Sequence, residues 1–145
     1  MWDNSAVSHR YFGTIIALAS VAHILLNMKE NQLLQTIIES IQEKKGRKIV
    51  TVDLTQIESA SAQYFVVCQG NTPTQVEAIA DSVRQYTREH TGVKPVAYEG
   101  YRNAQWIIID YGNIFVHVFA PEARDFYRIE QLWNDAKLTE IADID

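Results

Sequence analysis

The chain predicts an α/β fold of the α+β kind, a mixed β-sheet flanked by helices. Three observations carry that expectation. The first is a hairpin: two apolar runs, WIIIDY (106–111) and IFVHVF (114–119), separated by Gly112-Asn113. Both residues of that pair tolerate the positive φ of a two-residue hairpin turn. The second is a pair of further strand-like runs, IVTVDL (49–54) and YFVVCQ (64–69). The third is a set of three segments whose apolar residues recur at helical spacing, before, between and after those strands. From residue 28 the order is α-β-β-α-β-β-β-α, which lays helices against a sheet.

Residues 1–27 differ in character from the rest. GTIIALASVAHILL (13–26) is apolar apart from Thr14, Ser20 and His23, and its 14 residues fall short of the ~20 that cross a bilayer. His9 and Arg10 precede it as in a signal-peptide core, yet the positive region is weak and no small-residue cleavage site follows. The expectation is an extension ahead of Met28, either a mis-assigned leader or a loosely attached helix.

Residues 31–45 read as a helix. Leu33, Leu34, Ile37, Ile38 and Ile41 share one face, and Gly46 is a stop. In the run 64–69 both faces are apolar, which marks an interior strand. Thr72 is placed to cap a long helix with Pro73 at its first position. Val76, Ile79, Ala80, Val83 and Tyr86 form its buried stripe, and Gly92 ends it. Residues 94–99 contain Pro95 and so suit an edge strand. Pro121 starts a last helix, with Phe126, Ile129, Leu132 and Trp133 expected on one packed face. One domain over 28–136 follows, with 137–145 expected to fray as an acidic tail.

The hairpin fixes a register. Ile107, Ile109, Tyr111, Ile114, Val116 and Val118 fall on one face, and Trp106, Ile108, Asp110, Phe115, His117 and Phe119 on the other. The first face reads as core. The second is aromatic with one acid and one imidazole, so it is either covered by a helix or offered to a partner. His117 keeps two readings: a core histidine hydrogen-bonded to a neighbouring acid or backbone group, or a polar element of an interaction patch. Arg124 by itself reads as a solvated surface residue.

A net charge of −5 argues against broad binding to nucleic acid, which needs a basic surface, and leaves room for a basic protein partner. The single cysteine, Cys68, excludes a disulfide framework and fits a reducing compartment. Gly70-Asn71 before a helix is a weak phosphate signal, with no GxGxxG and no GxxxxGK[ST]. A nucleotidyltransferase-like site needs two acids on one strand face to hold metal ions, and the strand offers only Asp110, with Asp53 on another strand. Cys68 and His117 would form a nucleophile and base only if the fold joined them, and the four histidines lack ligand spacing. No catalytic residue, metal or cofactor is expected.

The runs YFVVCQGNT, QVEAIADSV, EGY, WIIIDYGNIFVHVF and RDFYRIEQLW resemble, in that order, the ribosomal silencing factor (Iojap) family over residues 28–136. The resemblance implies a nucleotidyltransferase-like α/β sandwich without catalytic acids. It implies a cytoplasmic, non-enzymatic translation repressor that binds the large ribosomal subunit through ribosomal protein L-fourteen. There it blocks association with the small subunit. It also implies links to large-subunit assembly and a homodimer when free, with no membrane and no direct nucleic-acid readout. Carried over residue by residue, the partner-binding positions are Glu99, Tyr101, Trp106, Asp110, Tyr111, His117, Arg124 and Tyr127, with Tyr111 the weakest because it points to the aliphatic face. Two other functions compete: a nucleotide-acting enzyme, and a homodimeric scaffold using the same face for self-association.

Overall fold

The computed structural model describes residues 4–145, with side chains from Thr14 onward. Helix α1 runs from Asn4–Glu43 without a break, so the helix expected over 31–45 is its C-terminal part. Among the described residues, those up to Gln32 form one unit and Leu33–Asp145 a second. In the first unit Ile15, Leu18, Leu25 and Leu26 are exposed. Among the described residues no helix is long and apolar enough to cross a membrane.

The second unit is a six-stranded sheet of order β3-β4-β5-β2-β1-β6. Its strands are β1 (Arg47–Asp53), β2 (Tyr64–Gln69), β3 (Ala97–Glu99), β4 (Trp106–Asp110), β5 (Ile114–Phe119) and β6 (Lys137–Ile141). Only β2 and β5 pair in parallel. The parallel pair lies at the centre, with neighbours on both sides and apolar residues on both faces. Helix α2 (Pro73–Thr91) crosses over between β2 and β3. Its ends follow the sequence. The Thr72 hydroxyl accepts from the Gln75 N–H at 3.1 Å, Pro73 opens the first turn, and Gly92 closes it at φ +73°.

Leu33, Ile37 and Ile41 of α1 and Val76, Ile79 and Val83 of α2 bury one face of the sheet. They pack on Ile49, Val66, Cys68, Ile107, Ile109, Ile114, Val116 and Val118. Each such aliphatic side chain contributes about 1.5–3 kcal/mol on burial, so this layer fixes the position of everything on the opposite face.

The hairpin register is the one the alternation requires: Trp106 opposite Phe119, Ile108 opposite His117, Asp110 opposite Phe115. Only Gly112 uses a positive φ (+87°), as in turns with glycine first. The turn closes with the Tyr111 N–H on the Ile114 carbonyl at 2.9 Å.

Two regions depart from expectation. Residues 137–141 do not fray but form β6, paired antiparallel along β1. The acids beyond it are tied down as well: Asp143 accepts from the Lys48 N–H at 2.9 Å, and Asp145 pairs with Arg47 at 2.8 Å. The free edge of β1 gave that segment a partner that its own composition did not advertise. The last helix, α3, is short (Pro121–Tyr127), and Arg128 at φ +45° ends it before a 3-10 turn over Ile129–Gln131. That break changes the phase of the apolar residues. Ile129 turns inward and is buried, whereas Phe126 and Leu132 face solvent instead of packing.

Candidate functional site

The sheet face away from α1 and α2 carries the aromatic set of the hairpin together with Phe65 and Val67 of β2. One end is covered by α3 and the 3-10 turn, where Ile129 seals Val67 and Phe119. From that seal an aromatic row runs outward. Trp106 stacks on Phe119 at 5.0 Å between ring centroids, Tyr127 lies 4.7 Å from Trp106, and Phe126 meets Tyr127 edge-on at 5.0 Å. Exposure climbs along the row. Phe119 is 0% exposed, Trp106 is half-buried, Tyr127 is 48% exposed and Phe126 79%. The row is thus anchored in the core at one end and open at the other.

His117 supports this row from beneath. The Trp106 indole Nε1–H donates to His117 Nδ1 at 3.1 Å, which places the imidazole proton on Nε2. Burial holds the ring neutral and pushes its pKa down to about 4. Nε2 has no partner among the described residues, and the ring edge meets Phe65 at 4.7 Å. Of the two readings of His117 the structure favours a core position, but the partner is an indole and not an acid.

The eight expected positions divide four ways, with Arg124 standing apart. Trp106, His117 and Tyr127 come together. Asp110 and Glu99 share their face, but Asp110 sits four residues from Trp106 along β4, ~14 Å at strand spacing, and accepts from the Gly112 N–H at 2.7 Å. Glu99 is exposed on β3. Tyr101 and Tyr111 belong to the helical side. The Tyr111 hydroxyl shares a 2.7 Å hydrogen bond with Thr87 and its ring is buried. Tyr101 is half-buried near Arg84, and burial pushes its phenol up to about 12.

Arg124 is not the solvated residue its sequence context suggests. It is buried, donating to the Lys48 carbonyl at 2.6 Å, Glu130 Oε1 at 3.1 Å and Gln69 Oε1 at 3.4 Å. Lys48 lies in the irregular part of β1, at φ +50°, so its carbonyl turns away from the ladder and a side chain must satisfy it. Phe126 was missing from the expected set because its spacing fits a packed helical stripe. The signal of its exposure is the early end of α3.

The sheet also separates the candidate chemical pairs. Cys68 lies in the helical-side core and His117 on the other face. Asp53 aligns with Tyr64 on the helical side, where its carboxylate is bonded to Thr55, while Asp110 is on the opposite face. Neither the Cys68–His117 dyad nor an Asp53–Asp110 pair can assemble.

A family profile described as "Ribosomal silencing factor during starvation" matches residues 27–145. The chain belongs to that family. Ribosomal silencing factor RsfS of Halalkalibacterium halodurans is 36% identical over 79% of this chain and 96% of its own length. The Bacillus subtilis factor of the same name is 33% identical over 79% and 95%. A crystal structure of a Chromobacterium violaceum protein shares the fold at a TM-score of 0.68 and 33% identity, covering 77% of this chain and 92% of that one. The match reaches residue 145, so β6 lies within the ribosomal silencing factor domain.

Proposed function

We propose that this chain represses translation without catalysis, by seating its aromatic row on the large ribosomal subunit and blocking the approach of the small one. The observation that carries the reading is the graded row Phe119–Trp106–Tyr127–Phe126. Exposed aromatics on a rigid base bind proteins at little entropic cost, and they offer no acid, base or metal for turnover. The family resemblance points to ribosomal protein L-fourteen as the docking partner. The acids Glu99 and Asp110 on the same face suit a basic surface. In this reading the protein works in the cytoplasm, needs no cofactor, and is a homodimer when free.

Sedimentation tests it. Purified protein should co-migrate with large subunits and shift associated ribosomes toward free subunits. No shift at saturating protein ends the proposal. Binding to isolated L-fourteen then tests the finer assignment, and indifference there moves the contact elsewhere on the subunit.

A further inference from the structure

A groove of about 840 Å³ runs between the C-terminal half of α2 and the edge strand β3, at the helical side of the sheet and away from the aromatic row. Arg84, Arg88, Lys94 and Tyr98 line it, with Asp81 and Glu89. The Arg84 guanidinium sits over the Tyr98 ring, its Cζ 3.6 Å from the centroid, and approaches Asp81 at 3.9 Å. Glu89 is engaged by Gln85 at 3.1 Å. Arg88 and Lys94 are exposed and have neither an ion pair nor a side-chain hydrogen bond among the described residues. Tyr98, backed by a guanidinium, remains 47% exposed. In a chain of net charge −5, this is a concave surface where three cations outnumber two carboxylates, and where Arg88 and Lys94 stand unpaired beside an open aromatic ring. The combination suits a phosphodiester strand: cations take phosphates and the ring takes a base face. An acidic peptide adding to the free edge of β3 fits less well. The strand is three residues long and Pro95 just before it supplies no N–H, so the edge offers a peptide few backbone partners.

We infer that the groove holds the backbone of a single RNA strand, with Arg88 and Lys94 on phosphates and Tyr98 under a base. Such contacts position the protein without reading sequence. They would add an RNA contact to a factor already held on the ribosome by its aromatic row.

The test uses the full-length protein in a heteronuclear NMR titration at low salt. One probe is a single-stranded RNA of about ten nucleotides, the other a glutamate homopeptide. RNA should shift the Arg84 Nε–H, Tyr98 and Lys94 signals, and the homopeptide should not. The double variant Arg88→Gln, Lys94→Gln changes only exposed side chains. It should lose the Arg84 and Tyr98 shifts and flatten the salt dependence of RNA affinity by about 1.4 in log–log slope, two contacts at about 0.7 each. Absent shifts, shifts confined to other surfaces, an unchanged slope in the double variant, or occupation of the groove by the homopeptide would each overturn the inference. The titration needs no ribosome, so a failure to bind large subunits with these RNA shifts intact counts against the proposed function and not against the groove.

Discussion

The indole of Trp106 donates its only hydrogen bond to Nδ1 of His117, 3.1 Å away and on the neighbouring strand. The bond holds a half-buried ring in one orientation and commits the imidazole to a neutral form. Protonating His117 would put a proton on the atom that accepts from Trp106 and would charge a buried ring.

Acid should therefore weaken the fold through His117. Its folded pKa is about 4 against an ordinary 6.5, so between those values the unfolded chain binds more protons. Stability then falls as pH drops from about 6.5 to about 4, and the loss approaches 3 kcal/mol at 1.36 kcal/mol per pH unit. Above pH 6.5 the group contributes no pH dependence. Urea denaturation of the wild type and of His117→Gln across that window measures it. Curves of equal slope would show that the imidazole is not the titrating group.

Arg124 gives a second expectation. Its guanidinium satisfies the Lys48 carbonyl and pairs with Oε1 of the largely buried Glu130, whose Oε2 has no hydrogen-bond partner among the described residues. Arg124→Ala would strand a buried carboxylate and a backbone acceptor, at a cost of about 3–5 kcal/mol. Replacing both partners, Arg124→Met with Glu130→Gln, should cost less than Arg124→Ala alone. Equal losses in chemical denaturation would show that packing, not pairing, dominates there.

Cys68 occupies a central strand, and burial pushes its thiol up to about 12. At neutral to mildly alkaline pH it should resist a thiol reagent in the native protein and react at the rate of global unfolding, since β2 has neighbours on both sides. Modification in native buffer as fast as in denaturant would mean that the sheet opens locally.

Much of this architecture was legible because local chemistry and tertiary context agree. Gly112 forced the hairpin turn, and with it the register of every residue from Trp106 to Phe119. Thr72, Pro73 and Gly92 bounded α2 for the same reason. Legibility failed where a distant partner decides. β6 exists because β1 has a free edge, and that edge is 84 residues away at the Asp53–Lys137 pair. Arg124 is buried because of the Lys48 carbonyl, 76 residues off. At the site, Trp106 and His117 followed from alternation. Phe126 did not, since a helical stripe and an exposed patch have the same spacing until the helix ends at Arg128.

The aromatic row itself separates stability from binding, and its two ends should respond oppositely to truncation. Phe119 is fully buried against Trp106, Val67 and Ile129. Phe119→Ala should cost about 3–5 kcal/mol of folding stability and reduce subunit binding only through loss of folded protein. Phe126 is 79% exposed and touches Tyr127. Phe126→Ala should leave stability within about 0.5 kcal/mol yet weaken binding to large subunits by about 2 kcal/mol if the ring is an anchor. Thermal melts and subunit co-sedimentation on the same two preparations read both quantities. A Phe126→Ala protein that binds subunits at wild-type affinity would remove the open end of the row from the interface and leave Trp106 and Tyr127 to carry it.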